Sequence, residues 1–405
     1  MTLELPKTAE VIVIGGGVIG TATAFHLTRM GAGKVVLLER KQLAAGATGL
    51  SSALVRTHYD NPLEAEIAFK SLPTFQFWDD VVGGECGFVN NGYVRLVEPY
   101  NIEKLELNVK LMQGIGINTR ILTQEEVREL LPWIRVDDVP AAAVEPDSGY
   151  ADPHMTTMGF AEAARRRGGQ IFQEAEVTGI DVENDRVVGV RTRKGAILAP
   201  VVINAAGPWG GLVAEMAGVH VTLTPMHHQV AVVETPDEIP WPFPTIVDRM
   251  HYSHFYVRPE TGRLSLLGAS HDNVPIGVDE LDTYNEHLTT RTRDRIMERV
   301  CNRMPAMETA PIRKGHAGIF VDTLDKHALF GEAPTVKGFY LNTGLSGHGF
   351  KEAPVMGQAM AELILNGKAE IVDLTPLRVS RFDEGQPYEG PYPYGEWIPG
   401  QAMDL

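Results

Sequence analysis

The sequence predicts an α/β protein, α+β when the whole chain is counted. A parallel-sheet domain is interleaved with a domain built on a large antiparallel sheet flanked by helices. Three observations predict it. Short β-branched runs that end in glycine and lead into helical patterns occur near the start, near residue 200 and near residue 340. Strand-rich stretches lie between them. At 405 residues the chain suits two domains better than one. The segments therefore alternate. Residues 1–80, 150–219 and 320–383 are assigned to the parallel-sheet domain, 81–149 and 220–319 to the antiparallel one, and 384–405 to a tail.

Residues 10–14 (Glu-Val-Ile-Val-Ile) read as a buried parallel strand. Residues 18–30 follow a helical pattern, with Ala22, Ala24, Phe25 and Leu27 available to face a sheet. Gly31 and Gly33 break it, and 34–39 is a second strand, completing a βαβ unit. Residues 62–80 read as a helix, and 88–97 as strands around an Asn90-Asn91-Gly92 turn. Thr123 with Glu126 is a capping box for a helix stopped at Pro132. Asp152-Pro153 opens a helix that runs through Ala161 to Arg167. Strands at 170–174 and 176–181 follow, then a hairpin across 183–186 and a buried strand at 201–204. Further strands are read at 228–234, 254–258 and 264–268, and an amphipathic helix at 284–303. A strand at 338–342, a glycine turn and a helix over about 353–365 close the organised chain. The tail after Asp373, rich in Pro, Gly, Tyr and Trp, is expected to wrap the surface.

Composition narrows the function. A net charge of −16 disfavours nucleic acid and anionic membrane surfaces, which want a basic face. The 44% hydrophobic and 22% charged content suit a soluble globular enzyme. Cys86 and Cys301 lie outside any Cys-x-x-Cys spacing, which argues against a disulfide framework or a zinc site. His227-His228 lacks carboxylates at ligand spacing, so no metal is expected. No apolar run reaches membrane-spanning length, and Glu4, Lys7 and Glu10 precede the first apolar stretch. A cytoplasmic location follows as the expectation.

Gly15-Gly16-Gly17-Val18-Ile19-Gly20 is a GxGxxG between a strand and a helix. Gly15 permits the tight turn, Gly17 lets backbone approach a pyrophosphate, and Gly20 lets the helix pack on the strand. The helix start at Val18 and Ile19 offers free N–H groups and a positive dipole end. Glu39, at the end of the next strand, is placed to accept hydrogen bonds from a ribose. These features point to a dinucleotide and leave FAD and NAD both open.

Three further segments carry a resemblance. They are 46–53 (Gly-Ala-Thr-Gly-Leu-Ser-Ser-Ala), 202–209 (Val-Ile-Asn-Ala-Ala-Gly-Pro-Trp) and 344–351 (Gly-Leu-Ser-Gly-His-Gly-Phe-Lys). From residue 9 to about 383 the chain resembles the D-amino-acid oxidase superfamily of flavoproteins, in the sarcosine oxidase, dimethylglycine dehydrogenase and glycine oxidase branch. The resemblance implies a Rossmann-like FAD-binding domain. It puts Ala47, Thr48, Ser51 and Ser52 along the pyrophosphate and flavin, and Arg40 beside the adenosine. The backbone of Val177 meets the adenine, and Ala206, Gly207 and Trp209 form a second turn at the cofactor. Gly344, Gly347, His348, Gly349, Phe350 and Lys351 sit under the pyrimidine end, where the dipole of the next helix favours charge on the reduced ring. Gly318 occupies the position of the cysteine that tethers FAD in sarcosine oxidases, and 46–54 lacks the tethering histidine of dimethylglycine dehydrogenases. Non-covalent FAD is therefore expected. The oxygen-activating lysine of sarcosine oxidases has no match in 264–268, which leans toward a dehydrogenase. Oxygen and another electron carrier both stay open as acceptors.

The same resemblance makes Arg56 the clamp for a substrate carboxylate, with Lys351 as a second cation there. A guanidinium suits the task because it forks two bonds to one carboxylate. Internal pairing of Arg56 with Asp60, and a solvated Lys351, are the plain alternatives. His348 either bonds the flavin or shapes its turn, and Tyr252, His254 and Tyr256 either line the pocket or belong to the core. The implied reaction is hydride transfer from the carbon beside an amine to flavin N5, giving an imine that water hydrolyses. The expected substrate is a small secondary or N-methyl amino acid of the sarcosine, dimethylglycine or proline type. Alternatives are a 2-hydroxy acid, a primary amino acid, a subunit or assembly factor with little activity of its own, and an NAD-dependent dehydrogenase. A homo-oligomer and a place in a larger complex are both compatible with the sequence.

Overall fold

In the computed structural model, which describes residues 4–251, 253–269 and 272–395, two main sheets draw on alternating stretches of chain. The first has six strands in the order Leu329–Glu332, Phe339–Thr343, Val201–Asn204, Val11–Ile14, Val35–Leu38 and Gln170–Phe172. Neighbours run parallel except the first pair. Burial on both faces explains why Val11–Ile14 and Val35–Leu38 are apolar at every position. Val11, Val13, Val35 and Leu37 pack on helices Val18–Arg29 and Pro153–Arg166. Ile12, Ile14, Val36 and Leu38 face the three-stranded sheet of Val177–Glu183, Arg186–Thr192 and Gly195–Leu198.

The second sheet has nine strands, antiparallel apart from the pair Tyr93–Val97 and Thr245–Asp248. Its long strands Thr224–Glu234 and Ile312–Asp322 pair along most of their length. Helix Thr290–Arg303 lays Ile296 and Val300 against Ala231, Val233, Val257 and Leu267. Its last residue, Arg303, is buried and bonds Asp248 at 2.7 Å and Asp138 at 2.6 Å, so the helix end is fixed by charge as well as packing. No helix among the described residues is long and apolar enough to cross a membrane.

Several expected elements differ. Asn90-Asn91-Gly92 does not join a hairpin. Val89 bridges Tyr150, while Tyr93–Val97 pairs with Ala141–Glu145 and Thr245–Asp248. The reason is that the turn bonds to other loops, Gly92 N–H to the Ser148 carbonyl and Asn91 Nδ2 to that of Phe243. The helix expected over 62–80 is two, Pro62–Gln76 and Trp78–Val81, separated where buried Trp78 turns in against Phe160. The helix expected from 284 starts at Thr290, capped by Thr289, and a helix over Ile102–Ile115 went unread. The helix expected from 353 starts at Gly349 and holds Pro354 in its second turn. Lys351 and Glu352 are therefore helical. The 183–186 hairpin and the Thr123–Glu126 capping box form as read.

The glycine loop is fixed by steric contact. Gly15 has φ +113°, and a Cβ on Gly20 would lie 2.0 Å from the Gly15 carbonyl oxygen. No rotamer relieves a clash between a Cβ and backbone. Gly20→Ala should therefore destabilise the protein by about 3 kcal/mol in chemical denaturation, from overpacking at a rigid contact. An unchanged midpoint would mean that helix and strand are not in this register.

Candidate functional site

A cavity of about 340 Å³ opens at the carboxyl ends of the parallel strands, bounded by Ile14, Leu38 and Ala205. Its wall carries Gly15, Gly17, Val18, Ile19, Glu39, Arg40, Ala47, Thr48, Ser51, Val177, Ala206, Gly207, Trp209, Gly344, Gly347, Gly349 and Phe350. Segments far apart in sequence thus meet on one surface. The remaining marked residues lie off that wall. Gly20 lies beneath the loop, against the Gly15 carbonyl. The Ser52 carbonyl accepts from buried Arg258 Nε at 2.6 Å. A Cβ on Gly318 would come 2.8 Å from Leu50 Cβ, so glycine lets that strand lie against the 46–53 loop. His348 and Lys351 belong to a second cluster behind the Gly344–Phe350 turn.

The donors on this wall fit a dinucleotide. Helix Val18–Arg29 begins with no side-chain cap and no acid in its first turn, leaving its positive end toward the cavity. Val18 N–H donates to Thr48 Oγ1 at 3.1 Å, joining the two loops. The Glu39 carboxylate accepts from Gly16 and Lys41 N–H at 2.7 Å each, which holds it at the loop mouth. Arg40 lies 4.1 Å over the Trp209 ring and forks to Asp282, which also accepts from Trp209 Nε1 at 3.1 Å. At the far end, helix Gly349–Asn366 also starts without a side-chain cap, at His348. An electron-accepting ring placed there would meet a positive helix end.

Arg56 and Lys351 converge on Tyr59. The Arg56 guanidinium lies 4.4 Å from the Tyr59 ring centroid and Lys351 Nζ lies 5.5 Å from it. Arg56 Nη1 donates to the His58 carbonyl, and Asp60 is not its partner. Lys351 is 5% exposed and donates to the His348 carbonyl at 3.2 Å, so it is not solvated. Burial, then the nearby Arg56 cation, pushes the Lys351 amine down to about 7. Arg56 stays charged. Burial opposes its charge, but Tyr59, Tyr93, Glu145 and Glu64 outweigh that.

Acids and imidazoles surround the pair. Glu64 Oε1 accepts from His327 Nδ1 at 2.8 Å and His348 Nδ1 at 3.2 Å. Burial alone would raise the Glu64 pKa, yet the His348 and His327 contacts hold it well below the usual carboxylate range. Burial would lower His327, but its bond to Glu64 raises it. Tyr59 Oη donates to Glu352 Oε1 at 3.0 Å, and burial followed by Glu64 pushes the Glu352 carboxyl up. On the other side, Glu145 accepts from Thr57 N–H at 3.0 Å and Ser148 Oγ at 2.8 Å. Its remaining oxygen faces His58 Nδ1 at 4.0 Å.

Sequence reading missed Tyr59, Glu64, Glu145, His327, Glu352 and Asp282. Only Glu64 carried a local signal, since Asn61-x-x-Glu64 has the spacing of a helix-start box and Asn61 Oδ1 does accept from Glu64 N–H at 2.9 Å. Tyr256 Oη meets His228 Nε2 at 2.9 Å, and His254 precedes the strand with φ +50°. Tyr252 lies outside the described residues.

Similarity to known proteins follows the same outline. The profile of the DAO family, FAD dependent oxidoreductase, matches residues 10–363. Sarcosine dehydrogenase, mitochondrial, from Homo sapiens is 32% identical over 93% of this chain, which spans 42% of that protein's length. Sarcosine oxidase subunit beta from Arthrobacter sp is 27% identical and is covered over 93% of its length by 94% of this chain. The crystal structure of L-proline dehydrogenase from P. horikoshii superposes with a TM-score of 0.87 at 27% identity, covering 95% of this chain and all of that one.

The Glu64 cluster sets a pH dependence. A lowered carboxylate pKa stabilises the fold above its unfolded value near 4.5, and that stability is lost as pH falls through the folded value. The raised His327 contributes fully below its unfolded value near 6.5 and loses this as pH rises through the folded value. The pairs are thus strongest between about pH 4.5 and 6.5. Glu64→Gln should cost about 3 kcal/mol in that window, since it keeps an acceptor oxygen but removes the charge that pairs with two partly buried imidazoles. It should also flatten the acid limb of the stability–pH curve. A parallel curve, merely shifted, would contradict the ion-pair account.

Proposed function

The chain belongs to the DAO family of FAD dependent oxidoreductases, and from that premise we propose that it oxidises a small secondary or N-methyl amino acid of the sarcosine, dimethylglycine or proline type. The observation that carries this reading is the convergence of Arg56 and Lys351 on one buried tyrosine ring. Two cations brought together from distant segments call for an anion between them, and a carboxylate suits the fork of Arg56. The similarity to a sarcosine dehydrogenase, a sarcosine oxidase subunit and an L-proline dehydrogenase supports a substrate whose nitrogen carries a second carbon.

FAD, when bound, supplies the acceptor for the hydride that leaves the carbon beside the nitrogen. We assign it to residues 1–80, 150–219 and 320–383, held without a covalent bond. The substrate is assigned to the face supplied by 81–149 and 220–319. Arg56 orients the carboxylate and so fixes the carbon that reacts. The Tyr59 ring and buried walls exclude water from that carbon. Lys351, with its pKa near 7, is partly neutral before substrate arrives. A carboxylate beside Nζ favours the ammonium form, so Nζ can take up the proton that the substrate nitrogen must lose. The missing lysine in 264–268 favours an acceptor other than oxygen. A second reading, a subunit of a larger complex, is favoured by the full-length match to an oxidase subunit. A cytoplasmic location belongs to the same proposal.

The test is anaerobic mixing of the purified yellow protein with sarcosine, dimethylglycine, L-proline, glycine and lactate. Bleaching by the N-substituted amino acids, with FAD released intact on acid precipitation, is expected. Bleaching by lactate alone sinks the amine assignment, and a colourless protein that binds NAD sinks the whole reading. Arg56→Met should raise the KM of the bleaching amino acid by about 10–100-fold, the loss of a charged, forked contact. An unchanged KM would remove Arg56 from the site.

A further inference from the structure

We propose that the C-terminal strap over 388–395 is part of the substrate site, and that Tyr394 is a positioning residue for Arg56. The proposal rests on the reading of Arg56 as the carboxylate anchor. It starts from a contact that a surface tail would not make. Tyr394 Oη lies 2.8 Å from His58 Nε2, and the two rings stack with centroids 5.9 Å apart. His58 is 1% exposed, and its own carbonyl accepts from Arg56 Nη1. One side chain of the tail therefore reaches the residue that holds the guanidinium.

The strap is pinned at both ends. Tyr388 N–H donates to Asp325 Oδ2 at 2.9 Å, and its ring meets the His327 ring edge-on at 4.9 Å. Asn108 Nδ2 donates to the Tyr392 carbonyl at 3.0 Å. Asn101 takes Gly395 from both sides, accepting its N–H at 2.9 Å and donating to its carbonyl at 3.1 Å. Gly390 is needed where the strap passes the start of helix Pro62–Gln76, because a Cβ would lie 2.6 Å from the Asp60 carbonyl oxygen. The tyrosines at 388 and 394 thus rest on the two histidines that flank the site. His327 is tied to Glu64, and His58 to Arg56.

Protonation follows the same geometry. Burial holds the Tyr394 hydroxyl up at about 12, and burial followed by Arg95 and Arg56 keeps His58 neutral. When the hydroxyl donates to Nε2, the ring proton sits on Nδ1, the atom that faces the otherwise unpartnered Glu145 oxygen. The Arg95 guanidinium, 4.2 Å over the Tyr394 ring, closes the outer side. Removing one oxygen from Tyr394 releases the His58 ring, and through it the carbonyl that aims Arg56.

The test uses the full-length, FAD-loaded protein carrying Tyr394→Phe. FAD content and the flavin spectrum should match the parent. The KM of the amino acid that bleaches the parent should rise about tenfold with kcat within twofold, and amide hydrogen exchange over residues 54–60 should increase. An unchanged KM with unchanged exchange overturns the proposal. A loss of FAD with KM and kcat moving together also overturns it, since Tyr394 would then be a general stabiliser. If no amino acid bleaches the parent, the functional reading fails by itself, and exchange over 54–60 still decides whether the strap positions this loop.

Discussion

Two basic groups on one buried ring are the constraint around which the rest of the site is arranged. Bringing Arg56 and Lys351 onto Tyr59 costs desolvation and like-charge repulsion, which would split the site if nothing opposed them. The surroundings oppose them in a graded way. Glu64 stays ionised between two imidazoles, while burial pushes the Glu352 and Glu145 carboxyls toward their neutral forms. Lys351 takes part of the remaining strain by surrendering charge.

The dinucleotide wall and this cluster are mechanically one unit. Helix Gly349–Asn366 presents Gly349 and Phe350 to the cavity and Lys351 and Glu352 to Tyr59. It packs on helix Val18–Arg29, where a Cβ on Gly357 would come 2.7 Å from the Ala22 backbone. The two helices whose starts face the cavity are thus held at a fixed spacing by glycine.

Legibility in the sequence followed the range of the interactions. The βαβ unit was readable because strand alternation, glycine breaks and the GxGxxG are local. The capping box at Thr123 was readable for the same reason. Arg56 and Lys351 were reached through family resemblance, since nothing within a few residues of either announces the other. The pairing of Glu64 with His327 was invisible because 263 positions separate two residues that share one hydrogen bond. The last helix was read from about 353 although it starts at Gly349, because the glycines before it read locally as a turn. The tail was read as surface covering, since no local pattern shows that Tyr394 reaches a buried histidine.

The central claim is that a carboxylate completes the site between Arg56 and Lys351. The most direct measurement is a crystal structure of the FAD-loaded protein, anaerobic, with the amino acid that bleaches it or with acetate. The account predicts a carboxylate about 3 Å from both the Arg56 guanidinium and Lys351 Nζ, over the Tyr59 ring. A carboxylate bound away from both Arg56 and Lys351 would contradict it.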